Sequence, residues 1–148
     1  MDPAAQMSQD TPAAIPELHF VVTNPEGVLQ AALVSLVMRV QGGRAASLAD
    51  ANGLPIASTL SGPSLRLTSA LAAMIARTAR IVLDAMGRDR LQAVVIEGSA
   101  TAVVACEVGK GTGTLVLVLE GSRDLEAAKR ETMQTATEIT TLLDSDAW

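Results

Sequence analysis

Apolar and polar positions recur along this chain at changing intervals, and each change marks an element. The first fifteen residues are mostly Ala, Pro, Gln, Ser and Asp with little to bury, and read as a flexible tail. Leu18-His19-Phe20-Val21-Val22 fits either an extra strand or a packed lead-in. Asn24-Pro25-Glu26 opens a helix: Asn suits the cap, Pro the first helical position, and Glu the positive end of the dipole. Its face of Val28, Ala32, Leu36 and Val40 can pack on a sheet, and Gly42-Gly43 stop it. Weak alternation over residues 45–48 and the turn dipeptide Asn52-Gly53 predict a hairpin, with Pro55 entering the second strand. Ser61-Gly62-Pro63 breaks that strand, and Ser64 suits the cap of a long helix running to Met86, with Gly87 at its end.

Leu91 to Glu97, Thr101 to Val108 and Thr114 to Leu119 read as three strands of an antiparallel meander, joined by Gly98-Ser99 and by a glycine-rich turn over 109–113. Ser122 can cap a final helix whose inner face is Leu125, Ala128, Thr132, Ala136, Ile139 and Leu143. Glu126, Lys129, Arg130, Glu131 and Glu138 lie on its solvent side. The expected order is α-β-β-α-β-β-β-α, an α/β (α+β) domain over 25–143 with a flexible extension at 1–24 and a tail at 144–148.

The helix from Ser64 to Met86 departs from the usual pattern because it is apolar on almost every side. At about 100° per residue, Leu67, Leu71, Met74, Ile81 and Ala85 share a face with Thr78. Leu65, Ala72, Ile75, Ala76, Ala79, Leu83 and Met86 cover a second face. Arg66, Arg77, Arg80 and Asp84 form a narrow polar stripe with Ser69 at its edge. Such a helix belongs in a large core or a membrane. Three arginines and an aspartate argue against the membrane, and 148 residues argue against a large core. Burial on two sides, against the protein's own sheet and against a second protein, is favoured over an Ala-rich helix with one buried face.

Composition narrows the partners. Net charge is −5 and aromatic residues make up 1% of the chain, so neither a basic footprint nor stacking platforms for nucleic acid are present. A single cysteine excludes an internal disulfide and fits a reducing cytoplasm. The N-terminus lacks the apolar run of a signal peptide, and no stretch matches a transmembrane span.

Candidate chemistry is sparse. Gly109-Lys110-Gly111-Thr112-Gly113 lacks the Walker spacing and joins two strands, so it reads as a hairpin turn. Glu97 and Glu107 fall on adjacent strands, but no convergent partners accompany them, and edge solvation is the simpler reading. Ser58, Ser99 and Ser122 have no histidine base, since His19 stands outside the regular pattern. Cys106 sits mid-strand among apolar residues, as a small core side chain. No enzyme, cofactor or metal site is expected. Arg66, Arg77, Arg80, Arg88 and Arg90 are five of eleven basic residues, gathered within a short span. They serve either solubility, with Arg80 near Asp84, or an acidic partner surface.

The hairpin Ala46-Ser47-Leu48-Ala49-Asp50-Ala51-Asn52-Gly53-Leu54-Pro55-Ile56-Ala57-Ser58, the long Ala/Leu/Met-rich helix and the strand Val94-Val95-Ile96-Glu97 together resemble the roadblock/dynein light-chain family. The resemblance runs from about Pro25 to Leu143. It implies a profilin-like fold: a five-stranded antiparallel sheet with one long helix on one face and two helices on the other. It further implies a homodimer paired through the strand after the long helix, with the two long helices side by side. The dimer contacts would then be Ile75, Leu83, Met86, Val94, Val95 and Ile96. Members of the family act as scaffolds or regulators of small Ras-like GTPases, and some bacterial ones activate GTP hydrolysis. On that basis Arg66, Arg77, Arg80 and Asp84 are the expected partner contacts. The competing expectation is a small-molecule sensor or structural scaffold domain of similar shape, with a pocket between sheet and helices.

Overall fold

The structure, a computed structural model, describes residues 25–87 and 90–144. The elements are α1 (Pro25–Arg39), β1 (Gly43–Asp50), β2 (Pro55–Ser58), α2 (Gly62–Met86), β3 (Val94–Glu97), β4 (Thr101–Val108), β5 (Gly113–Glu120) and α3 (Leu125–Leu143). The expected order holds. The expectations for Leu18 to Val22, His19, Asn24, Arg88 and the tail from Ser145 lie outside the described residues.

The five strands form one antiparallel sheet in the order β2-β1-β5-β4-β3. Alternation along the strands sends their side chains to two unlike layers. On one face, α1 and α3 cover a core of Leu29, Leu33, Leu36, Leu48, Val104, Leu115, Leu117, Leu119 and Ile139. On the other face, α2 lies across β1, β5 and β4 over a smaller cluster of Ala49, Ala72, Ala105 and Val116. The hairpin between β1 and β2 is held by Asp50, whose Oδ1 accepts hydrogen bonds from the Asn52 and Leu54 N–H groups, both at 2.9 Å. Gly53 takes φ +86° there, and a Cβ would stand 3.3 Å from the Ala70 Cα. The turn therefore needs glycine both for its backbone and for its approach to α2.

Four local expectations change. The buried face of α1 is Leu29, Leu33 and Leu36, continued by Val40 just past its end, with Val28 and Ala32 only half-buried. This set carries three leucines, so burying it removes more apolar area from water. The N-cap of α2 is Ser61 rather than Ser64; its side chain makes no capping bond, and a proline in the first turn supplies the preset φ. Asp124 rather than Ser122 caps α3, accepting from the Ala127 N–H at 3.1 Å, where its charge also meets the positive end of the dipole. The Ser122 Oγ accepts instead from the Gln41 Nε2 at 2.9 Å. Finally, β3 begins at Val94 and not at Leu91, because the Leu91 side chain is buried before the ladder starts.

Candidate functional site

Helix α2 buries its smallest residues. Ser69, Ala72, Ala73 and Ala76 face the sheet, and small side chains let the helix axis sit close to the strands. The opposite side of the helix carries Leu67, Leu71, Met74 and Ile81, exposed by 62%, 43%, 54% and 62%. Val82 is exposed on the same side, a residue that the helical projection left unassigned although its angle falls near Leu71. The two apolar faces expected of this helix are therefore real. One is turned to the protein's own sheet and the other is open.

The second expected face is corrected in part. Ala72 and Ala76 are fully buried, Leu65, Ile75, Ala79 and Leu83 are half-buried, and Met86 stands out at the helix end, 79% exposed. Ser69 is not at the polar edge. It is buried against the sheet with its hydroxyl unpartnered.

The open face continues onto the sheet edge. Strand β3 is the last strand on its side of the sheet, and its register with β4 pairs Val94 with Ala105 and Ile96 with Val103. Ala105 belongs to the α2-side cluster, so Val94 and Ile96 point to α2 and Val95 to the opposite layer. A groove of about 310 Å³ runs between the two elements, lined by Leu71, Met74, Ile75, Thr78, Ala79, Val94 and Ile96. Three of the six expected dimer contacts, Ile75, Val94 and Ile96, meet in this groove. Val95 and Ile96 are exposed, Leu83 lies farther along the helix, and Met86 lies beyond it.

The polar stripe divides. Arg66, Arg77 and Asp84 are exposed on one flank of α2. Arg80 is not paired with Asp84 as the spacing suggested. Its Nη1 donates to the Glu107 Oε2 of β4 at 2.9 Å, tying the helix to the sheet. Glu97 and Glu107 do not form a carboxylate pair: Glu97 lies 3.6 Å from the Arg123 guanidinium at the far end of the sheet. Cys106 is buried, and that burial pushes its thiol up to about 12, leaving it neutral and unreactive near pH 7. Among the described residues no group of His, Cys, Asp or Glu could hold a metal ion, and no helix is long and apolar enough to cross a membrane. The arrangement offers a contact surface.

Comparison with known proteins agrees with this geometry. A family model described as the Roadblock/LC7 domain matches residues 29–119. No curated protein matches the chain. Among solved structures, the fold is similar to a Roadblock/LC7 domain from Streptomyces avermitilis, at TM-score 0.73 and 21% identity over 78% of this chain and 98% of that one. It is similar to the gliding protein MglB of Thermus thermophilus, at TM-score 0.71 and 22% identity over 80% and 90%. It also resembles Acanthamoeba castellanii profilin II, at TM-score 0.50 and 14% identity over 78% and 96%. At these identities the likeness is one of fold.

Proposed function

Because this chain belongs to the Roadblock/LC7 domain family, we propose that it is a homodimeric adaptor or regulator of a small Ras-like GTPase. The observation that carries this reading is the open apolar face of α2, continuous with the exposed edge strand β3. A second copy can add its own β3 to that edge, since an edge strand presents unpaired N–H and C=O groups. Pairing there brings two α2 helices together and covers apolar side chains that one copy leaves in water. The exposed flank of Arg66, Arg77 and Asp84 then borders the paired helices, where an acidic partner surface meets it. Arg80 contributes through Glu107, by holding α2 in place. The chain has no active site of its own in this reading, and its effect is exerted through the GTPase.

Two variants test the two halves. Val95→Arg places a charge at the pairing edge and converts the dimer to a monomer by light scattering. A dimer of unchanged mass overturns pairing through β3. Arg66→Glu combined with Arg77→Glu leaves the dimer intact and weakens binding of a nucleotide-loaded small GTPase by at least about tenfold, the loss of a charge-assisted contact. Unchanged binding assigns the stripe to solubility. GTP hydrolysis by the purified protein alone counts against the whole reading.

A further inference from the structure

Helix α1 fixes where the chain before it arrives. A link over residues 40–42 joins it to β1, so the helix runs back across the sheet against the direction of that strand. It packs on β1 and β2, while α3 packs on β4 and β5. Its first turn therefore stands over the β2 side of the sheet, at the end where the Asn52-Gly53 hairpin turns. Val22 lies three residues before Pro25 and reaches at most about 10 Å from it. That spans the depth of one packed layer, roughly 10 Å. It does not span the strand spacings from β2 to the β3 edge, roughly 19 Å in all.

The edge within reach is β2, which has no strand on its outer side among the described residues. The Thr59 N–H donates inward to the Ala46 carbonyl at 2.9 Å, so by alternation Ile56 and Ser58 turn their N–H and C=O groups outward. Apolar side chains flank these groups. Ala57 packs toward α1, in the core beneath it, and its neighbour Ile56 points to the α2 side, 37% exposed. On α1, Arg39 marks the flank turned to α3, through its bonds to Glu131 and Thr135. At about 100° per residue the opposite flank carries Val34 and Val37, both only half-buried on the β2 side.

We propose that Leu18–Val22 of the same chain adds to the outer edge of β2 as a sixth, antiparallel strand. The direction follows from connectivity, since the segment ends next to Pro25, at the end of the sheet where β2 begins. Alternation places the larger apolar set, Leu18, Phe20 and Val22, on the covered side with Val34, Val37 and Ala57. His19 and Val21 then share the side of Ile56. The added strand gives the outward N–H and C=O groups of β2 partners and blocks that edge to other chains, leaving β3 as the open edge. This docking is independent of the α2 face, so it stands whether or not a second copy or a GTPase meets that face.

Amide hydrogen exchange in the 15N-labelled full chain tests the proposal. The Ile56 and Ser58 amides exchange at least about tenfold more slowly in the wild type than in Phe20→Asp/Val22→Asp, as amides held in a ladder do. Thermal melting checks that the variant stays folded. His19→Asp, on the other side of the strand, retains the protection. Phe20 is the only phenylalanine of the chain, and its ring protons show nuclear Overhauser contacts to the methyl groups of Val34, Val37 and Ala57. Val95→Arg at the β3 edge leaves the protection unchanged, which separates failure of this docking from failure of pairing through β3. Five results overturn the proposal. They are fast exchange of Ile56 and Ser58 in the wild type, protection that survives Phe20→Asp/Val22→Asp, and an equal loss in His19→Asp. The others are protection that appears only as concentration rises, which assigns the edge to a second copy, and Phe20 contacts that arise only between differently labelled copies.

Discussion

The two faces of the sheet are built from different materials. Under α1 and α3 the buried side chains are large: Leu33, Leu36, Leu48, Leu115, Leu117 and Ile139 are almost wholly removed from water. Under α2 they are small: Ala49, Ala72, Ala76 and Ala105, beside the buried hydroxyls of Ser47, Ser69 and Thr114. The helices differ in the complementary way. α3 turns charged and polar residues such as Glu126, Arg130 and Glu138 outward, whereas α2 turns out Leu67, Leu71, Met74 and Ile81. Hydrophobic stabilisation follows the apolar area removed from water. The first face accordingly supplies most of the stability of the single domain, and the second leaves large apolar side chains of α2 in water. The Arg80–Glu107 pair adds at most about 1 kcal/mol to the attachment of α2, since Arg80 is partly solvated.

Three substitutions, from the largest effect to the smallest, break or sharpen this contrast. Leu117→Ala empties the large-residue core and costs about 2–5 kcal/mol in urea unfolding. A cost below about 1 kcal/mol would mean that the core under α1 and α3 is not the main store of stability. Ala76→Leu forces a larger side chain between α2 and the sheet and costs about 1–3 kcal/mol. Equal or higher stability would show that the approach of α2 to the sheet is loose. Met74→Gln removes an exposed apolar group and changes the stability of the dissociated domain by no more than about 0.5 kcal/mol. It does weaken self-association in a concentration series by light scattering. A large loss of monomer stability would instead place Met74 in the domain's own core.

Much of the contrast was legible in residue order. The Asn24-Pro25-Glu26 start and glycine stop of the first helix, Asn52-Gly53, the run from Thr114 to Leu119 and the inner face of α3 each name an element, because local backbone preference and apolar period agree there. Errors gathered where neighbouring residues offered equivalent local choices. Ser61 and Ser64, or Ser122 and Asp124, are all competent caps, and only the path of the incoming chain selects one. Leu91 has the composition of a strand residue, yet its side chain is drawn into the core before the ladder begins.

The sequence by itself determined that α2 has two apolar faces and in what order helices and strands follow along the chain. It could not determine which face of α2 turns inward, because periodicity reports that a face is apolar and not what lies opposite. The tertiary structure decided that. The sheet beneath α2 presents Ala49, Ala105 and Ser47 together with Val116, and a helix approaches such a surface closely only through Ala72, Ala73, Ala76 and Ser69. The same constraint sent Ser69, read as an edge residue, into the interior. It bound Arg80 to Glu107 across the layer, and left Leu67, Leu71, Met74 and Ile81 facing out beside the open edge of β3.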